Sequence, residues 1–252
     1  MPNFNVPRFN RELRPLLRIF GFLALGFRAI PATAEISAQD VLQHFYRADG
    51  GRAWQRFDEC DSAGTVAFLQ KTGTIRYFEN LHHGGNRTEM EISALDVKQA
   101  DGTDPIQNWH QDAAGDIQLS SPDDPISIDD RYLTRRGYWQ PDFGGAAVTV
   151  LAPHTEGSVI WDLLQFEVPG GKGFTLWINR KTGLLERVEG SITKQLRDYR
   201  SVSGVLLPFI EKKPVDNGEL TITYVTRTLR MHLDKTAFAV PFRKRLSNAA
   251  FR

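Results

Sequence analysis

Asp61-Ser62-Ala63-Gly64 is the stretch of this chain nearest to an acid-base motif, and it falls one residue short of one. Aspartic proteases place Asp-Thr-Gly or Asp-Ser-Gly in two tight loops so that a pair of carboxylates shares one proton. Here an alanine intervenes and no second copy follows. Serine chemistry has no better footing, because no Gly-x-Ser-x-Gly turn exists and Ser191, Ser201 and Ser203 have no histidine near them in sequence. His82, His83, His110 and Asp112 raise the question of a metal. Neighbouring histidines on a strand point to opposite faces, and no cysteine or histidine pair has ligand spacing. Asp123, Asp124, Asp129 and Asp130 lack the alternating ligands of a calcium loop and read as a solvated acidic loop. Gly170-Gly171-Lys172-Gly173 lies between two strand-like runs, so it reads as a hairpin turn and not as a phosphate cradle opening a helix. Cys60 is the single cysteine, which excludes an intrachain disulfide and suits a small buried residue. The sequence therefore offers no catalytic residue, no metal site and no cofactor, and the expectation is a protein that is not an enzyme.

The elements around these residues are clearer. Ser37 with Asp40 three residues on has the form of a capping box, and Val41, Leu42, Phe45 and Tyr46 recur at helical spacing until Asp49-Gly50-Gly51. Ala53 to Phe57 reads as one further turn. From Gly64 the period becomes two: strands are expected at 65–70, 73–81, 87–95, 108–111 and 116–119, with loops at 71–73, 83–86 and 101–102. Pro122 and Pro125 mark 121–128 as a surface loop, and 129–137 reads as a short helix with acids first and bases last. A second meander follows at 146–151, 159–168, 174–178, 184–192, 194–202, 205–212 and 220–228. So many consecutive antiparallel strands curl or close. The fold class expected is α+β, a strongly curved antiparallel sheet, an incomplete β-barrel, wrapped around one or two helices.

Composition is that of an ordinary globular domain, 41% hydrophobic and 24% charged. The N-terminus differs. Arg8, Arg11, Arg14 and Arg18 lead into an apolar run from Ile19 to Phe27, followed by Ala32-Thr33-Ala34. That is the layout of a secretory signal peptide, 1–34, with cleavage after Ala34; a retained anchor is the alternative, although the run is short for a bilayer span. The segment takes five of 31 basic residues and one of 30 acidic residues, leaving a net charge of about −3 with interspersed signs. Such a chain does not bind nucleic acid and, once the segment is removed, is not an integral membrane protein. One domain is expected over 35–241, then a basic tail, 242–252.

Two longer stretches carry a resemblance. Phe174-Thr175-Leu176-Trp177-Ile178-Asn179-Arg180-Lys181-Thr182-Gly183-Leu184-Leu185-Glu186-Arg187-Val188 reads as a hairpin, and Arg197 to Pro208 adds a turn at Gly204, with Pro208 suited to a strand end or edge. Together with the leading helix, Gly50-Gly51 and Trp54, they resemble the outer-membrane lipoprotein-sorting (LolA/LolB-like) superfamily over about 37–241. The same domain type resembles the N-terminal half of some exported retropepsin-like proteases, with Phe238-Ala239-Val240-Pro241 near its end. The resemblance implies an apolar cavity between sheet and helix that shelters acyl chains. Candidates for its lining are Phe68, Tyr77, Met90, Trp109, Trp161, Phe166, Phe174 and Trp177; for any one of them alone, filling a closed core is the simpler reading. The expected function is an exported, periplasmic or secreted carrier of a hydrophobic ligand, a lipid or an acylated protein. The alternative is a non-catalytic accessory domain that binds an envelope protein. An open apolar cavity favours the first; a closed interior with an exposed patch or sheet edge favours the second.

Overall fold

Ser37 caps the first helix as its spacing implies: its Oγ accepts the Asp40 amide at 3.1 Å, and its own hydroxyl donates to the Asp40 carboxylate at 2.6 Å. Helix α1 runs Ala38–Ala48 and buries Val41, Leu42 and Phe45. The computed structural model describes residues 36–103 and 106–241, so the expected signal segment and the basic tail lie outside the described residues. After α1 a 3₁₀ turn, Gly51–Arg56, enters from Gly50 at φ 116°. A Cβ at Gly50 would lie 2.7 Å from Val205 Cα, so glycine answers both the backbone angle and the close approach.

Thirteen antiparallel strands follow: β1 Glu59–Phe68, β2 Lys71–Asn80, β3 Asn86–Ile92, β4 Val97–Thr103, β5 Asn108–Gln111, β6 Ile117–Ser120, β7 Ala147–Glu156, β8 Val159–Glu167, β9 Phe174–Asn179, β10 Leu185–Gly190, β11 Lys194–Val202, β12 Val205–Val215 and β13 Gly218–Arg230. They form one open sheet, in the order β6-β5-β4-β3-β2-β1-β13-β12-β11-β10-β9-β8-β7. The first and last strands pair at its centre, and β6 and β7 become its two edges. The chain between those edges, which carries helix α2 (Pro125–Thr134), must pass from one side of the sheet to the other.

The sheet is curved across its width. Glu79 on β2 and Val188 on β10 line one void of about 80 Å³. Five strand intervals laid flat would hold them ~24 Å apart. Two packed clusters share this inner face. One joins Phe45, Tyr132, Tyr138, Leu164, Phe166, Phe174, Leu176 and Val188. The other joins Trp54, Phe57, Val66, Ile75, Leu207, Ile222 and Tyr224. The outer face over β1 and β3 is closed by the last described segment: the Asp234 amide donates to Glu59 Oε2 at 2.9 Å, and Arg87 Nη1 donates to the Ala237 carbonyl at 3.1 Å.

Several boundaries differ from the sequence expectation. Strand β1 begins earlier than expected, at Glu59; its first inward residues, Cys60 and Ser62, are small and buried and give no alternation of large apolar and polar side chains. Strand β4 was not expected at all; Lys98, Gln99 and Asp101 hide its pairing with β3. Strand β3 stops at Ile92, and Ser93–Leu95 turns. The expected loop 121–128 is corrected: Asp124 caps α2 by accepting the Ser127 amide at 3.0 Å, and Pro125 occupies the first helical turn, where its missing N–H costs nothing. Pro208 is not at an edge. It pairs with Tyr199 on β11, while the β12–β13 ladder begins only at Ile210, so no ladder bond is lost at the proline nitrogen on that side.

Candidate functional site

The α2 exit shapes the site. Arg135 caps the helix, Arg136 takes a left-handed backbone at φ 55°, and Gly137 passes so close to the Tyr132 ring that a Cβ would lie 2.4 Å from it. The chain therefore turns back sharply. Tyr138 enters the core and stacks on Phe45, ring centroids 5.7 Å apart. Trp139 lies between the two clusters and packs against both. Its ring meets those of Phe45, Tyr46, Trp54 and Tyr138 at 5.2, 5.3, 6.3 and 5.2 Å.

Beside Trp139 a cleft of about 290 Å³ opens between α1, the 3₁₀ turn and the α2 exit. Leu42, Tyr46, Trp54, Phe57, Tyr138 and Trp139 give it apolar walls; Arg135, Arg136 and His82 give it a basic rim. Its volume is at the small end of ligand pockets, about 300–1,000 Å³.

Trp54, Arg136 and Tyr138 also border the inner void, so they separate it from the cleft. The Trp54 indole donates to both the backbone carbonyl and the carboxylate of Asp49, at 3.1 and 3.0 Å, while the Arg136 guanidinium stacks 3.5 Å over the Trp54 ring. Burial raises the Asp49 carboxyl to about 7, against the pull of Arg136 and the indole bond.

Behind this wall the interior is polar. Arg227 is buried; it donates to Ser62 Oγ at 3.0 Å, to the Pro208 carbonyl at 2.8 Å and to Glu79 at 2.9 Å, with its guanidinium 4.6 Å over the Tyr224 ring. Tyr224 in turn donates to Glu211 at 3.3 Å. Burial opposes ionisation of Glu211, but Lys213, Lys194, Arg227 and the tyrosine bond outweigh it and hold the carboxyl at about 2. Burial pushes the Cys60 thiol upward despite Arg227, so it is not a ready nucleophile.

The eight residues expected to line an apolar cavity are dispersed. Phe166 and Phe174 are fully packed members of the first cluster, and their rings stack at 5.4 Å. Phe68, Tyr77 and Met90 lie against the second cluster, half-buried. Trp109, Trp161 and Trp177 take the opposite face of the sheet, because each is one residue out of phase with the inward positions His110, Leu164 and Ile178 or an odd number from them. There Trp109 covers Gly102 under Arg87, and Trp161 and Trp177 pack with His154, the Trp161 indole donating to Glu186 at 2.8 Å. None of the eight borders the cleft. Between sheet and helices, Phe45, Tyr138 and the Arg227 network surround a void of about 80 Å³.

Trp54 and Trp139 were not among those candidates. A glycine just past a helix end followed by two aromatic residues, Gly137-Tyr138-Trp139, is the signal that could have found Trp139. The other marked residues have structural partners. His82 pairs with Asp58 at 2.7 Å and His110 with Asp101 at 2.6 Å. Among the described residues no group of three or more histidine, cysteine or acidic side chains is placed to hold a metal. In the glycine turn after β8, the Lys172 and Gly173 amides donate to Asp129 Oδ2, both at 2.9 Å, so the chain's own carboxylate occupies that anion nest.

No family model matches this chain, and no curated protein matches it. Solved structures do. An outer membrane lipoprotein-sorting protein domain from Vibrio parahaemolyticus superposes with a TM-score of 0.52 at 10% identity, over 80% of this chain and 97% of that one. A DUF1329 family protein from Desulfovibrio piger superposes with a TM-score of 0.51 at 11% identity, again over 80% and 97%. At such identities the likeness is one of fold.

Proposed function

We propose that this chain, which has the fold of outer-membrane lipoprotein-sorting domains, is an exported, non-catalytic binding protein that takes one apolar chain of a lipid or acylated protein into the Trp139 cleft. The cleft itself carries the reading: six apolar side chains from three separate segments converge on it, with solvent on one side and a rigid aromatic floor on the other. Burying about eight methylenes there would contribute roughly 6 kcal/mol, enough for reversible binding and too little for permanent capture. That balance suits a carrier. Export follows from the N-terminal segment, with the working protein beginning at Glu35 and residing in the periplasm or outside the cell.

Native mass spectrometry of the full chain, purified gently from an exporting host, tests both parts. A released chain that starts at Glu35 with one lipid bound supports them. A chain that retains Met1 in the membrane fraction contradicts export, and one that stays ligand-free with added fatty acid and phospholipid contradicts the carrier. The second outcome would favour the accessory-domain reading, whose support is the close packing of Phe45, Tyr138, Phe166 and Phe174 between helices and sheet.

A further inference from the structure

We infer that the cleft selects an apolar chain ending in an anionic head group, a carboxylate or phosphate monoester, and that Arg135 and the Trp139 indole read that group. This rests on the binding reading above and names its ligand class.

The lining contains His82, Arg135 and Arg136 and no aspartate or glutamate. Of the three, two have their charge answered from within the chain. His82 pairs with Asp58. Arg136 donates to the Thr134 carbonyl at 3.1 Å, stacks on Trp54 and faces Asp49. Arg135 has no ion pair among the described residues; its guanidinium rests 5.8 Å from the Tyr132 ring, which is an attraction without an acceptor. Its Nε is buried and makes no hydrogen bond, and the same holds for Trp139 Nε1. Both groups can only donate. Both residues line the cleft, four apart at one helix exit, and an acceptor with several lone-pair sites would answer both donors.

An alcohol or ester carries no net charge to pair with the Arg135 guanidinium. A carboxylate or phosphate supplies several oxygens and a full negative charge, and bonds to such groups are the strong class. The apolar walls formed by Tyr46, Trp54 and Phe57 would take the chain behind it. The Trp177 indole is also unpartnered, but the neighbouring Arg187 is paired with Glu189, so the outer face has no comparable free cation there.

The test is calorimetric titration of the full chain at pH 8 with ligands sharing a ten-carbon tail, below their aggregation thresholds: decanoate, decyl phosphate, decanol and decyltrimethylammonium, with inorganic phosphate as the tailless control. Decanoate and decyl phosphate are expected to bind roughly 10- to 100-fold more tightly than decanol. Arg135→Gln should erase that difference. Trp139→Phe, which keeps the ring and loses the N–H, should narrow it severalfold. Equal affinity for decanoate and decanol in the unaltered chain overturns the head-group inference while leaving the apolar cleft standing, as does a preference for the cation. Phosphate binding as tightly as decyl phosphate overturns the tailed ligand. If no ten-carbon ligand binds, the proposed function fails and this inference with it.

Discussion

Replacing Asp49 by asparagine should make the protein more stable at pH 8 than at pH 5 relative to the unaltered chain. The Asp49 carboxyl is 5% exposed and burial raises it to about 7, from an ordinary value of 3.8. A carboxyl whose folded value lies above its unfolded value binds protons more tightly when folded. Stability is therefore lost as pH rises from about 4 to about 7, and the loss is complete above that. At about 1.4 kcal/mol per pH unit, the interval from pH 5 to the folded value of about 7 corresponds to about 3 kcal/mol. An asparagine retains an oxygen for the Trp54 indole and titrates nowhere in this range. Glu211 does not confuse the comparison: held at about 2, its contribution is already complete above pH 4.5. Urea unfolding followed by circular dichroism, at both pH values, should show Asp49→Asn gaining about 3 kcal/mol on the unaltered chain over that interval. A difference that is the same at pH 5 and pH 8 would refute the claim that this carboxyl is buried at the cleft wall.

Arg227→Leu leaves the buried Glu211 and the half-buried Glu79 without their shared cation and should cost about 3–5 kcal/mol in urea unfolding; a cost below 1 kcal/mol would mean the network is wet. Asp129→Ala frees two amides that now donate to it, so it should cost about 2–4 kcal/mol and accelerate hydrogen exchange at Lys172 and Gly173. Gly64→Ala places a Cβ 2.2 Å from the Thr223 carbonyl at the β1 bulge, and a drop of about 3 kcal/mol in stability is expected by thermal melting.

Much of the frame was legible because local signals and tertiary structure agree. The Ser37–Asp40 box, the Gly50-Gly51 stop, the hairpin through Gly183 at φ 73° and the Gly204 turn at φ 90° all depend on a few adjacent residues. Periodicity failed where inward positions are small or polar. Cys60 and Ser62 on β1 and Gln99 and Asp101 on β4 interrupt the alternation that marks a strand. The site was less legible still. Which face Trp109, Trp161 and Trp177 take depends on strand phase, and a one-residue difference moves a side chain from the inner face to the outer. Trp139 becomes central only because α2 crosses between the two sheet edges, a consequence of β1 pairing with β13 some 160 residues away. Arg227 and Glu79 lie on different strands and meet only through that closure.

The central claim is that the cleft beside Trp139 receives an apolar chain. A crystal of the full chain grown with decanoate brominated at its terminal carbon locates that chain directly by the anomalous scattering of bromine. The bromine should lie within the cleft, bounded by Leu42, Tyr46, Trp54, Phe57 and Trp139. A bromine ordered instead against Trp161 and Trp177 on the outer face would contradict the claim.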